Sequence, residues 1–152
     1  MLKKKDQSNN VAASPKPATI GKGTVIVIDD EEVVRSACAA ILNHAGYRVI
    51  SAQDGREGLE LFEQLESETI CVLLDLSMPY LRGNVVYARL KAINPDIPVL
   101  VMSGYCDEQI MRDFSAAGVS GFVHKPFQPE TLVSSVRSLK SAQSNVREAV
   151  RA

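Results

Sequence analysis

The sequence predicts an α/β fold, a doubly wound five-stranded parallel sheet with helices on both faces. Three observations predict it. Five short apolar runs are spaced along the chain, too short for helices and apolar on consecutive residues, as strands buried on both faces are. A stretch with apolar residues at helical spacing follows each run, the order of a parallel sheet built from strand–helix units. Glycine or proline marks most of the joins.

The first run, Val25-Ile26-Val27-Ile28, is β-branched throughout. After Asp29-Asp30-Glu31-Glu32, residues Val34, Cys38, Ile41 and Ala45 keep a helical period that stops at Gly46. Tyr47–Ala52 is predicted as the second strand. Asp54 with Glu57 three residues on reads as a helix cap, ahead of Leu59, Phe62 and Leu65. Ile70–Leu74 is predicted as a strand ending at Asp75, and a Met78-Pro79 loop leads to a helix through Val86, Leu90 and Ile93 that Asn94-Pro95 ends. Ile97–Met102 is the fourth predicted strand. Ile110, Phe114 and Ala117 form a helix closed by Gly118, Val119–Val123 the fifth strand, and Leu132, Val133, Val136 and Leu139 a last helix.

Parallel sheets of this kind place their ligand site at the carboxyl ends of the strands. Those ends carry Asp29-Asp30, Asp75, Ser103 and Lys125. Two carboxylates ~4 Å apart repel by about 4 kcal/mol at an effective dielectric of ~20. Three of them exceed what one lysine can neutralise, so either a pKa rises or a cation binds. A hard divalent ion with oxygen ligands fits, Mg²⁺ above all, since it keeps positions open for phosphate oxygens. Lys125 and Ser103 then suit phosphoryl oxygens as a point charge and a donor. A phosphorylated carboxylate is a known covalent intermediate.

These residues resemble the receiver domains of bacterial two-component response regulators. The resemblance rests on Asp29-Asp30, on Asp75 with Met78-Pro79 and Gly83, on Ser103-Gly104 and on Lys125-Pro126-Phe127, in that order over about residues 24–140. The wording Val-Met-Ser-Gly-Tyr and Gly-Phe-Val-His-Lys-Pro-Phe is similar to the receiver at the C-terminus of hybrid sensor histidine kinases. The resemblance implies a flavodoxin-like strand order, 2-1-3-4-5. It implies Asp75 as phospho-acceptor from a phosphohistidine. Asp30, Asp75 and the Ser77 backbone carbonyl would ligate Mg²⁺ (or Mn²⁺), with Asp29 acting through water. Lys125 would pair with the acceptor and then the phosphoryl group, with a cis Lys125-Pro126 bond. Ser103 and Phe122 would be the switch residues; Phe122 stands where Tyr is frequent, so no switching hydroxyl is present there. Ser77 and Tyr105 would tune dephosphorylation, and Tyr105 is expected to hinder the attacking water. A sensor histidine kinase or histidine phosphotransfer protein is the implied partner, with a cytoplasmic location and either a monomer or a phosphorylation-dependent dimer.

Bland readings apply elsewhere. Glu31 and Glu32 read as helix N-terminal acids favoured by the macrodipole, His44 and His124 as ordinary histidines, Cys106 as an inert thiol, and Gly21-Lys22-Gly23-Thr24 as a linker turn rather than a phosphate loop. The alternative functions are a small aspartate-nucleophile phosphatase or phosphotransferase, a receiver cut from a hybrid histidine kinase, and a receiver-like scaffold. Self-phosphorylation from ATP is not expected without a glycine lid and a phosphorylated-histidine helix. Nor is a DNA-binding output expected in the residues after 140.

The 152 residues are 45% hydrophobic and 23% charged, with 17 Lys+Arg against 18 Asp+Glu. A balance near neutrality argues against a nucleic-acid coat or a polybasic membrane binder. Residues 1–23, rich in Lys, Ser, Asn, Ala and Pro, read as a leader or linker, residues 24–140 as the domain, and residues 141–152 as a tail or an extension of the last helix. Cys38, Cys71 and Cys106 lack the CxxC spacing of a metal knuckle and are odd in number for a disulfide framework. A signal peptide is not expected, since polar residues follow Lys3-Lys4-Lys5 where an apolar stretch is required, and no apolar run approaches the ~18 residues of a membrane span.

Overall fold

In the computed structural model, residues 21–78, 82–104 and 108–139 are described. Residues 1–20, Pro79, Tyr105, Cys106 and the predicted tail lie outside them. The elements run β1 (Thr24–Ile28), α1 (Glu32–His44), β2 (Arg48–Ala52), α2 (Gly55–Leu65), a 3-10 turn at Glu66–Glu68, β3 (Thr69–Asp75), α3 (Gly83–Ile93), β4 (Val99–Ser103), α4 (Glu108–Ala117) and β5 (Gly121–His124). Residues 129–139 are helical and are called α5. The sheet is parallel with the order β2-β1-β3-β4-β5. Among the described residues, no helix is long and apolar enough to cross a membrane.

Two apolar layers sandwich the sheet, and strand alternation assigns residues between them. Ile26, Ile28, Val72, Leu74, Val99 and Val101 pack with Leu59 and Phe62 of α2, Val86 and Leu90 of α3 and Phe114 of α4. Val25, Val27, Cys71, Leu73, Leu100 and Met102 pack with Cys38 and Leu42 of α1 and Leu132 and Val136 of α5. The central strands are therefore apolar at every position, because both faces are covered. Each fully buried aliphatic side chain contributes about 1.5–3 kcal/mol.

Helix ends explain where strands begin. Gly46 (φ +99°) and Gly118 (φ +86°) adopt the left-handed conformation that glycine accepts without a Cβ penalty. Each closes its helix as a Schellman motif: Gly46 N–H donates to Asn43 O and Tyr47 N–H to Leu42 O, while Gly118 N–H donates to Ser115 O and Val119 N–H to Phe114 O. Tyr47 and Val119, predicted as first residues of strands, spend their N–H groups on these closures. The ladders accordingly start at Arg48 and Gly121. β4 likewise starts at Val99 rather than Ile97, since Pro98 has no N–H and Ile97 N–H is taken by Asn94 O. The Asp54 cap is present, its carboxylate accepting Glu57 N–H at 2.8 Å. Glu57 reciprocates one residue early, to Gln53 N–H at 3.1 Å.

The helical stripes hold unevenly. Ile93 and Ile110 are 37% and 41% exposed, and Ala117 is exposed as well. Phe114 is the one buried side chain of α4, set edge-on to Tyr87 with ring centroids 5.7 Å apart. The Tyr87 hydroxyl donates to Ala117 O at 3.0 Å, tying the end of α4 to α3.

Two predictions follow from this packing. A Cβ at Gly58 would fall inside the Ile28 side chain, so Gly58→Val should cost about 2 kcal/mol in urea unfolding despite its better helix propensity. Cys38 and Cys71 are fully buried, and burial pushes both thiols up to about 12. Neither should react with an aromatic disulfide reagent at pH 8 until denaturant is added.

Candidate functional site

β1, β3 and β5 carry their charged residues to one edge by strand alternation. Counting in twos from Val25 and Val27 reaches Asp29, from Cys71 and Leu73 reaches Asp75, and from Val123 reaches Lys125, all on the α1/α5 side of the sheet. Ser103 follows Val99 and Val101, and Phe122 packs with them, on the opposite layer. The sheet edge thus separates the ionic group from the Ser103–Phe122 pair.

The ionic group is tight. Asp29 and Asp75 are 0% and 1% exposed, while Asp30 is open to solvent. One carboxylate oxygen from each of the three lies within 4.8 Å of the others. Lys125 Nζ reaches Asp29 Oδ2 at 2.6 Å, Asp75 Oδ1 at 3.2 Å and Glu31 Oε1 at 3.7 Å. Asp29 Oδ1 accepts Glu31 N–H at 2.9 Å, and the Arg35 guanidinium donates to Asp29 O at 2.8 Å. Asp75 Oδ1 accepts Ser77 N–H at 3.3 Å and Ser77 Oγ–H at 3.1 Å. Its other oxygen, Oδ2, is buried with no hydrogen-bond partner among the described residues.

These contacts set the protonation chemistry. Burial pushes the Asp29 carboxyl above the usual carboxylate range; the bonds from Lys125 and Glu31 N–H oppose this without cancelling it, and the Asp75 charge adds to it. Burial alone would lower Lys125, but the Asp29 hydrogen bond and the charges of Asp75 and Asp29 outweigh it and hold the ammonium above its ordinary value. One cation among three aspartates leaves the pocket negative, and an orphaned buried oxygen carries a desolvation cost of about 1–3 kcal/mol or more. An all-oxygen donor set with one oxygen unsatisfied fits a hard divalent cation.

Asp29, Asp30, Asp75 and Lys125 therefore meet in one pocket, with Ser77 bonded to Asp75. Ser103 ends β4 beside it, its carbonyl accepting Lys125 N–H at 2.9 Å, and Phe122 is partly buried in the neighbouring layer. Lys125-Pro126 is cis. Gly83 lets α3 start against the site: a Cβ there would lie 3.2 Å from Leu76 Cα and 3.3 Å from Asp75 O. Sequence reasoning missed Glu31 and Arg35. Glu31 has an acidic neighbour on each side that masks it, and Arg35 carries no signal beyond its place one turn into α1.

A model of the response regulator receiver domain matches residues 25–137. The chain is 33% identical over 123 residues to the sensor kinase CckA of Brucella abortus, covering 81% of this chain and 13% of the kinase. It is 40% identical over 117 residues to response regulator RR06 of Streptococcus pneumoniae, covering 76% of this chain and 52% of that protein. Its fold superposes on the receiver domain from hybrid histidine kinase CckA with a TM-score of 0.65 at 29% identity, over 77% of this chain and 98% of that one. The chain thus spans about half, or much less, of the length of these curated relatives.

Removing the shared ammonium should expose the repulsion. Lys125→Met leaves two buried carboxylates without their cation and should lose about 3 kcal/mol in urea unfolding at pH 7. Acids whose folded pKa lies above the unfolded value bind more protons in the native state, so the variant should regain stability as pH falls towards 5. An equal loss at both pH values would contradict the ionic account.

Proposed function

From the premise that this chain belongs to the response regulator receiver domain family of two-component signalling, we propose that Asp75 accepts a phosphoryl group from a phosphohistidine and that the aspartyl phosphate switches a partner-binding surface. The observation that supports this most directly is the state of the Asp75 carboxylate. Oδ1 is pinned by Ser77 and Lys125, which aims the buried, unpartnered Oδ2 as the oxygen left for an electrophile.

In the transfer, the P–N bond of the donor imidazole breaks as an O–P bond to Asp75 forms, and the electron pair leaves with the imidazole nitrogen, which takes up a proton. Catalysis is then placement and charge neutralisation. Asp30, Asp75 and the Ser77 carbonyl would hold Mg²⁺ (or Mn²⁺), with Asp29 assisting through water. The bound ion supplies positive charge to the carboxylates and the transferring phosphoryl oxygens. Lys125 orients the acceptor carboxylate, then follows the negative charge onto a phosphoryl oxygen. Ser103 donates its hydroxyl to another, and Phe122 turns inward behind it. Ser77 and Tyr105 govern access of the hydrolytic water, Tyr105 by bulk.

The family reading extends to the chain as a whole. On this reading residues 24–140 form the receiver, 1–23 a leader or linker, and 141–152 a tail or an extension of the last helix. The donor is a sensor histidine kinase or a histidine phosphotransfer protein in the cytoplasm, and the output passes through a further protein. The domain catalyses its own phosphorylation and dephosphorylation rather than turning over a free substrate.

Acetyl phosphate with Mg²⁺ should add one phosphoryl group per chain by intact mass, and Asp75→Asn should add none. Continuous release of phosphate from small phosphomonoesters would instead indicate an aspartate-nucleophile phosphatase. Mg²⁺ at about ten times its Kd should raise the melting temperature by about 5 °C, the equivalent of about 1.4 kcal/mol. EDTA should reverse the rise, and Asp30→Asn should abolish it.

A further inference from the structure

Glu31 is a charged side chain in contact with the pocket ammonium that the proposed chemistry leaves without a task. It is the N-cap residue of α1, with extended backbone (φ −85°, ψ 114°) and no capping hydrogen bond from its side chain. Its N–H bonds to Asp29 Oδ1 at 2.9 Å, so the carboxylate that grips Lys125 also fixes where Glu31 stands. The Glu31 side chain is 64% exposed, yet Oε1 lies 3.7 Å from Lys125 Nζ. One end of this carboxylate faces the pocket ammonium and the other faces the solvent through which a donor arrives.

We propose that Glu31 is a specificity-determining residue that disfavours small, doubly charged phosphodonors. The inference rests on Asp75 being the acceptor. Two effects act together. A fixed negative charge at the entrance repels an incoming anion in proportion to that anion's charge. Glu31 and Asp29 also hold Lys125 on the α1 side of the pocket, so a phosphoryl group must compete with two carboxylates for the same ammonium. The first effect is screened by salt, because the entrance is open to solvent. Donors carrying less charge enter at a smaller penalty.

The test uses the full chain with saturating Mg²⁺ at about pH 7, saturation being checked by melting temperature in each protein. Acetyl phosphate is a dianion there and phosphoramidate a monoanion. Second-order rate constants for modification are read by intact mass in parent, Glu31→Gln and Glu31→Asp, at ~20 mM and ~500 mM KCl. Glu31→Gln should speed acetyl phosphate roughly fivefold at low salt and less than about twofold at high salt, with a gain for phosphoramidate of about twofold. Glu31→Asp keeps the charge and should stay within about twofold of the parent. Equal rates for Glu31→Gln and parent, or a gain independent of salt and donor, would overturn the proposal. Failure of the parent to take label on Asp75 would overturn the acceptor reading instead, so the two failures are distinguishable.

Discussion

Everything at the carboxyl edge of this sheet depends on one shared ammonium. Asp29 and Asp75 are almost wholly withdrawn from water, and Lys125 bridges them at 2.6 and 3.2 Å. Without that bridge the strand ends would place like charges together in a low-dielectric setting. With it, the pocket is folded but still short of positive charge, and one Asp75 oxygen remains unsatisfied. Structure and chemistry meet in that deficit: the arrangement that folds leaves three carboxylates clustered about one ammonium.

The fold serves this arrangement in a direct way. Three strands of a parallel sheet deliver three charged positions to one edge by alternation alone, while apolar layers on both faces fix the register. Gly83 adds the last piece, since its missing Cβ allows α3 to begin against the carbonyl of Asp75. The ionic group sits on the α1/α5 side and Ser103 with Phe122 on the other. The two sides are joined at the backbone, where the Ser103 carbonyl accepts the Lys125 N–H.

Much of this was legible in the sequence because its signals are local. Apolar runs named the strands, Asp54 with Glu57 named a cap, and Gly46 and Gly118 named two helix ends. Errors of one or two residues arose where a neighbouring element claimed the same backbone group, as Tyr47 and Val119 show. The stripe through Ile110 overstated the burial of α4, since periodicity reports a helix but not how much partner surface covers it. In the site, Asp29, Asp30, Asp75 and Lys125 were legible from their strand-end positions. Glu31 was not, because its reach to Lys125 is set by the turn of the chain between β1 and α1, which spacing alone does not encode.

The fastening of α4 has a mechanical corollary. This helix buries one side chain, Phe114, edge-on to Tyr87, and a hydroxyl bond ties its far end to α3. α1 and α2 each sink at least two side chains into the core. α4 thus enters the core more shallowly than α1 or α2, and it leads directly into β5 and the lysine on which the pocket depends.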